Sequence, residues 1–508
     1  TPLYSSAASD VYKRQELGLD PEILKTSGGV EILSGNCIPD GAEPLAMAYA
    51  GHQFGNWVPE LGDGRALLLG ELIGLDGIRR DIQLKGSGPT PFSRMGDGRA
   101  VLGPILREYI ISEGMNGLGI PTARTLSAAL TGEKIMREQL FPGAILTRVA
   151  QSHVRVGTFE YFAARKDIEG LHLLADYVIR RHFPDAGKSK NPYSALLYEV
   201  AVRQANLIAK WMLFGFIHGV MNTDNMQIAG ETIDYGPCAF LDTYQPDMVF
   251  SSIDHMGRYA FGNQPKIAQW NLICLGQAML PLISENEDSA ISQVKEIISI
   301  YSSIYEEKWA SGMIAKLGFV NKIDGDIQIA QDLLHHMDEN GADFTLTFRR
   351  LCDLSIKSSD SDSHIRDLFG DSKEFDEWII RWRRRLLIEG LGDIELGKIN
   401  QQMGTTLKSQ LKKLPKNSKK LPMYRDKDFH ELVEMDVDEK ISDTTINKHL
   451  THLSSFLDWS KRHGYANLNP FLGLKIKKSV SAREERDKFT EKELKQIFFR
   501  HNLSLSFF

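Results

Sequence analysis

The stretch from Gly62 to Ile111 constrains the fold of this chain more than any other. Ala66–Leu72 is a short apolar run, Leu75-Asp76-Gly77 has turn chemistry, and Ile78–Lys85 alternates polar with apolar residues. The spacing predicts strand–turn–strand, with Gly62-Asp63-Gly64 just ahead of the first strand and Lys85 closing the second. Pro104 stands where a helix opens. Ile105, Leu106, Tyr109 and Ile110 then give Ile105–Ile111 an apolar face at helical spacing.

The text that follows extends this start. Short apolar segments between 125 and 165 (AILTRVA, HVRVGTFEYF) predict further strands and a helix. Leu196, Leu197, Val200, Leu207, Ile208, Trp211 and Met212 recur at helical spacing, as do clusters at 268–285, 290–309 and 374–388. Between them lies HGVMNTDNMQIAGETIDYGP (218–237), too rich in Asn, Asp, Gly and Thr for a core element. The layout is α+β: a small β-rich part and a larger helical part, joined near 150–170.

Charge divides the chain differently. The 508 residues sum to −6, yet residues 404–508 hold 21 Lys and Arg against 14 Asp and Glu, a net +7, which leaves 1–403 at −13. Such a split points to different partners, or different origins, for the two parts. KSQLKKLPKNSKKLP (408–422) is a basic, Pro-punctuated linker. Beyond it Ile446, Leu450, Leu453, Phe456, Leu457 and Trp459 form a helix face, and another helix start is expected at 489–498. No run of about 18 apolar residues occurs, and the four cysteines (Cys37, Cys238, Cys274, Cys352) lack C-x-x-C spacing. The expectation is a cytoplasmic protein with no membrane partner. The opening TPLYSSAASDVYKRQ resembles a translated sequencing-library adapter, so 1–15 is expected to be foreign text in place of a natural N-terminus.

Several residues could carry chemistry. Gly62-Asp63-Gly64-Arg65 suits a turn whose backbone N–H groups approach phosphate oxygens, though a plain tight turn into a strand explains it as well. Lys85, ahead of Gly86-Ser87-Gly88, can hold a phosphate as a point charge. Glu108, 23 residues on, can pair with it, which is the Lys–Glu arrangement of protein kinases. Asp224, Asn225 and Asp234 share one irregular segment, where carboxylate and amide oxygens suit a hard cation. Asx turns in a solvated loop are the bland alternative. A kinase's catalytic loop separates its Asp from its Asn, whereas Asp224 and Asn225 are adjacent and no H-R-D is present. Arg148 and Arg155 offer forks for terminal phosphates. His52, His153 and His218 lack metal-ligand spacing and read as packing or hydrogen-bonding residues.

The motifs YAGHQFGNWVPELGDGRA, LKGSGPTPFSRMGDGRA, REYIISEGMNGLGIPT and HGVMNTDNMQIAGETIDYGPCAF closely resemble the selenoprotein O (YdiU) family over about 16–395. That resemblance implies a bilobal protein-kinase-like fold that transfers AMP from ATP to protein hydroxyls. The nucleotide is inverted relative to kinases, pyrophosphate leaves, and UTP is a second donor in some members. It implies a nucleotide site of Gly62, Gly64, Arg65, Lys85, Asp97, Gly98, Arg148, Arg155 and Asp234. Glu108 would orient Lys85, Asp224 would accept the hydroxyl proton, and Asn225 with Asp234 would hold Mg²⁺ or Mn²⁺. Partners would be proteins presenting hydroxyl side chains. The tail text TTINKHLTHLSSFLDWSKRHGYANLNPFLGLKIKK resembles the helical core-binding domain of tyrosine recombinases, which implies a small all-α domain able to touch DNA through 408–508.

The expected organisation is therefore adapter-like text at 1–15, an N-lobe at 16–165, a C-lobe with the catalytic loop at 166–395, a linker at 396–425 and a recombinase-like fragment at 426–508. The family's C-terminal part is expected to be replaced by that tail, as in a chimera of neighbouring genes. Two other functions stay open on sequence: a nucleotide-binding pseudoenzyme, and a DNA-binding fragment confined to the tail.

Overall fold

The apolar and alternating runs at 66–72 and 78–85 become strands as expected, whereas the short strands at Ala7–Ser9, Gly51–Gln53, Asn56–Val58, Phe216–Ile217 and Ala239–Phe240 were not expected. The computed structural model describes residues 7–9, 11–352, 354, 362–370, 372–391, 398–416, 424, 427, 429–462 and 466–476. Among these the strands are β1 (Ala7–Ser9), β2 (Gly51–Gln53), β3 (Asn56–Val58), β4 (Ala66–Ile73), β5 (Arg79–Lys85), β6 (Arg124–Met136), β7 (Leu140–Ala150), β8 (Phe216–Ile217) and β9 (Ala239–Phe240). An antiparallel sheet runs in the order β1-β6-β7-β5-β4. The β4–β5 turn is the one read from sequence. Gly77 takes φ +75, and Asp76 accepts from the Ile78 backbone N–H at 3.1 Å while pairing with Arg80.

Ala7–Ser9, inside the stretch read as foreign, pairs with Ala129, Ala128 and Ser127 of β6, and a helix follows at Val11–Glu16. β6 otherwise presents an unpaired edge there, and a short strand satisfies it.

A helix covers the face of the sheet that carries Lys85 and Arg148. It runs Leu102–Gly117, longer than the expected Ile105–Ile111, and its inward face also differs. Leu106 and Ile110 are exposed, while Ile105, Glu108, Ser112 and Met115 are buried. The face toward the sheet carries a carboxylate because it covers charged side chains, so apolar spacing alone misplaced it.

The helical part begins at Val156–Ala164 and continues through Ile168–His182, Pro192–Phe214, Gln264–Ile283 and Glu287–Lys316. These share one apolar core, with Phe159, Leu171, Leu197, Ile208, Leu272 and Met279 at its centre. Phe159 lies in that core, so the helix expected in the N-lobe up to 165 packs with the C-lobe. Between these helices, residues 218–237 stay irregular apart from a single turn at Thr223–Asn225. A small antiparallel sheet region and a larger helical region agree with the kinase-like layout.

A second compact unit takes Gly318–Asn321, the described part of Arg349–Asp367 and the described residues from Ser372 on. By contacts the division thus falls near 349–372, whereas the sequence reading put it at 396. The reason is shared packing: Ile380 and Leu386 of helix Lys373–Leu391 lie against the same apolar cluster as Leu407, Leu411, Leu450, Phe456 and Leu457. The face expected around Ile446, Leu450, Leu453, Phe456 and Leu457 is the buried face of helix Asp443–Arg462. The expected linker at 396–425 instead holds helix Gln401–Leu411, because Leu407 and Leu411 have an apolar cluster to join; residues 417–423 of it, and the helix start expected at 489–498, lie outside the described residues. No described helix is long and apolar enough to cross a membrane.

Candidate functional site

Sheet register decides which side chains meet. Gln83 and Lys85 are two apart on β5 and share a face, and Arg148 of β7 lies directly across from Gln83. That face is the one beneath Glu108. Lys85 Nζ is 2.6 Å from Glu108 Oε2, and Arg148 Nε donates to Glu108 Oε1 at 2.8 Å. Asp234 closes the cluster from the helical part. Its Oδ1 accepts from Arg148 Nη2 at 2.8 Å and lies 3.2 Å from Lys85 Nζ, and its Oδ2 accepts from Arg155 Nη1 at 2.9 Å. Asp234 itself sits at φ +61, a strained setting for a residue other than glycine.

Burial and charge compete here. Burial alone would raise the carboxyls of Glu108 and Asp234, but Arg148 and Lys85 hold both below the usual carboxylate range, with Arg155 adding to Asp234. For Asp224 burial wins over the Arg155 charge and the Gln53 hydrogen bond, pushing it up to about 6. Its Oδ2 accepts from Gln53 Nε2 at 3.3 Å, while Oδ1 is buried with no hydrogen-bond partner. A buried, unpartnered carboxylate oxygen is costly and marks where a donor is meant to arrive.

These groups border a cavity of about 700 Å³. It is lined by Gly62, Gly64, Arg65, Lys85, Asp97, Gly98, Arg148, Arg155, Asp224, Asn225 and Asp234, so eleven of the twelve residues singled out from sequence meet around it. Glu108 stands behind, buried under Lys85 and Arg148. Seven cations line the cavity (Arg65, Lys85, Arg94, Arg99, Arg137, Arg148, Arg155) against four carboxylates (Asp63, Asp97, Asp224, Asp234). The excess favours a polyanion.

Two glycines shape the wall. Gly62 has φ +99, and a Cβ there would collide with the Phe92 ring. Gly98 has φ +62, and its Cβ would strike the Gly88 backbone. Asp97 occupies the rim, where hydrogen bonds from Arg137 at 2.7 and 2.9 Å hold it down to about 2. Asn225 donates its amide Nδ2 to the Val220 carbonyl at 2.9 Å, which leaves Oδ1 as its free end. Asn225 Oδ1 and the Asp234 carboxylate are oxygen donors beside one cavity, and they fit a hard divalent cation.

Sequence reasoning missed several contributors. Asp63 is buried beneath the glycine turn, accepting from Gln83 Nε2 at 3.1 Å, with Arg155 at 3.6 Å. Tyr49 stacks under the Arg155 guanidinium at 4.6 Å. The repeat of G-D-G-R at 62–65 and 96–99 was a usable signal for Arg99, since both arginines line the cavity. Arg137 comes from the β6–β7 turn and had none. The β2–β3 hairpin lies on the irregular segment 218–237: the His52 backbone N–H donates to Thr223 Oγ1 at 2.8 Å and the Phe54 backbone N–H to Asn222 Oδ1 at 3.1 Å.

The sequence model of a family described as "Protein adenylyltransferase SelO" matches residues 7–419. This reaches further at both ends than the 16–395 expected. A protein named protein nucleotidyltransferase YdiU from Bradyrhizobium diazoefficiens is 58% identical over 374 residues, covering 74% of this chain and 76% of that protein. Proteins of the same name from Rhodopseudomonas palustris (58% over 375 residues, 74% and 76% covered) and Methylorubrum populi (59% over 376 residues, 73% and 76%) are similar to the same extent.

Proposed function

Because the chain belongs to the SelO protein adenylyltransferase family, and is a nucleotidyltransferase, we propose that it transfers AMP from ATP to Ser, Thr or Tyr hydroxyls of other proteins. The observation that supports this best is the pairing of seven cavity cations with one carboxylate, Asp224, whose Oδ1 has no partner. A polyphosphate would occupy the cationic side and a hydroxyl would donate to Asp224.

In this reading the hydroxyl oxygen attacks the α-phosphorus, the bond to pyrophosphate breaks, and the proton passes to Asp224. Asp224 suits that task because a carboxyl near 6 is mostly ionised at neutral pH yet basic enough to take a proton. Glu108 fixes Lys85 and Arg148, so both cations are set before the nucleotide arrives. Arg148 and Arg155 would hold the distal phosphates of an inverted nucleotide, and Gly62, Gly64, Arg65, Asp97 and Gly98 would border the remainder. Asn225 and Asp234 would hold Mg²⁺ or Mn²⁺, which would neutralise charge on the phosphates. UTP is a second donor under the same geometry, delivering UMP.

Parallel incubations with α-labelled and γ-labelled ATP test this. Label reaching protein only from the α position is expected. Label only from the γ position would overturn it in favour of a kinase, and bound nucleotide with transfer from neither would make the chain a pseudoenzyme. The +7 tail carries a separate proposal, resting on its sequence resemblance: duplex DNA bound through 408–508. Binding that weakens with salt and vanishes when that segment is deleted supports it, and salt-independent binding opposes it.

A further inference from the structure

The β2–β3 hairpin brings together a second set of chemically capable side chains that the reaction above does not use. His52 of β2, Glu160 of helix Val156–Ala164 and Cys274 of helix Gln264–Ile283 each place one donor atom within 4.8 Å of the other two. Glu160 and Cys274 are buried, whereas the His52 side chain is 24% exposed, so solvent reaches the cluster from one side. His52 Nδ1 lies 2.7 Å from Glu160 Oε1, and Glu160 Oε2 is buried with no hydrogen-bond partner. Trp57 and Trp270 enclose the imidazole, with ring centroids 4.9 and 5.1 Å away.

We propose that His52, Glu160 and Cys274 bind a borderline-soft divalent cation of the Zn²⁺ class. Imidazole nitrogen, carboxylate oxygen and thiolate sulfur are the donors such an ion takes, and a three-residue set leaves a fourth, tetrahedral position for water on the exposed side. Mg²⁺ is a poor match, because it prefers oxygen donors alone. Charge also balances: a divalent cation against one carboxylate, one thiolate and a neutral imidazole sums to zero, which a buried setting tolerates.

Loading the site exchanges protons for metal bonds, with no change in oxidation state. With His52 keeping its own proton on Nε2, the Cys274 S–H proton and the proton between His52 Nδ1 and the Glu160 carboxyl leave to solvent as metal–sulfur, metal–nitrogen and metal–oxygen bonds form. Tetrahedral bonds of about 2.0–2.1 Å set nitrogen and oxygen roughly 3.4 Å apart, so the 2.7 Å hydrogen bond opens on binding. Burial and the Glu160 charge push the Cys274 thiol up to about 12 without an ion, while the Arg258 guanidinium works the other way. Because the His52 backbone N–H donates to Thr223 Oγ1, beside Asp224, occupancy reaches the segment that carries the proton acceptor. That last link rests on the proposed function; the site itself does not.

The test uses the full chain in excess Mg²⁺, to fill hard-oxygen sites, titrated with Co²⁺ and then Zn²⁺. One equivalent of Co²⁺ is expected to give tetrahedral d–d bands and a sulfur-to-cobalt charge-transfer band, both lost as Zn²⁺ displaces it. Cys274→Ser should remove the charge-transfer band and weaken Zn²⁺ roughly tenfold or more. Should that variant unfold, His52→Ala must weaken Zn²⁺ by a similar factor, and unchanged affinity would overturn the site. So would the absence of a charge-transfer band in the parent chain. A band that persists in Cys274→Ser would also overturn it, assigning the metal to the exposed Cys37 or Cys352. None of these readings involves nucleotide, so a failure here is distinct from a failure of AMP transfer.

Discussion

The wall of the cavity and the core of the second unit are both buried, but they are built from opposite materials. Glu108, Arg148, Arg155 and Asp234 form a network in which every charge faces at least one of the opposite sign. Leu407, Leu411, Leu450, Leu453, Phe456 and Leu457 form an apolar cluster with no such pair among those side chains. Taking charges out of water costs several kcal/mol per ion even after relaxation, and an apolar core of equal volume is often as stable. At the cavity that cost goes with holding Lys85, Arg148 and Arg155 around Asp234, whereas the apolar cluster serves the stability of the second unit.

The largest separation between the two regions should come from single substitutions at their centres. Asp224→Asn should lower the transfer rate about 10²–10⁴-fold, the range general-base loss produces, while melting no lower than the parent chain. Leu450→Ala should do the reverse: about 2–5 kcal/mol of stability lost to a cavity, read by denaturant unfolding of the second unit, with the transfer rate of folded protein unchanged. A Leu450→Ala variant that folds yet has lost transfer would break the comparison. Next in size is Glu108→Ala, which leaves Arg148 and Lys85 short of a partner and should cost about 3–5 kcal/mol together with activity.

A subtler contrast lies in pH. Asp224 has its folded-state value raised to about 6, so its contribution to stability is full below the unfolded value and lost as pH rises through about 6. Its contribution to catalysis runs the other way, with transfer falling as pH drops below about 6. In the second unit His452 is held down to about 3, chiefly by burial and then by the His449 and Arg383 charges. Its contribution is full above about 6.5 and is lost as pH falls toward 3. Thermal melts of parent, Asp224→Asn and His452→Gln proteins across pH 4–8 should show these opposite slopes; equal slopes in all three would remove the distinction. The smallest effect expected is Gln53→Ala, a few-fold drop in rate with nucleotide affinity unchanged, since only one 3.3 Å hydrogen bond to Asp224 is lost.

Sequence made the two regions legible to different degrees, for physical reasons. The β4–β5 hairpin, Lys85 and Glu108 could be read because local turn chemistry and a fixed spacing determine them. Helix Asp443–Arg462 could be read because a stripe of large apolar residues has one place to go. The inward face of Leu102–Gly117 was misplaced because Glu108 and Ser112 face the sheet and Leu106 and Ile110 face away, a pattern that only the opposing charges explain. Gln83 and Tyr49, and the buried role of Asp63 within its glycine turn, went unread because they depend on side chains up to about a hundred residues distant, such as Arg155. The division near 349–372 was hidden because Ile380 and Leu386 look like any other helical apolar residues until their neighbours are known.

The central claim is that Asp224, facing an electropositive cavity, accepts the proton as AMP is transferred. A single-turnover measurement of pyrophosphate release against protein-bound AMP tests it most directly. The parent chain should give the two products one to one, and Asp224→Asn should give neither at a comparable rate while binding ATP equally well. An Asp224→Asn protein that forms both at the parent rate would contradict the claim.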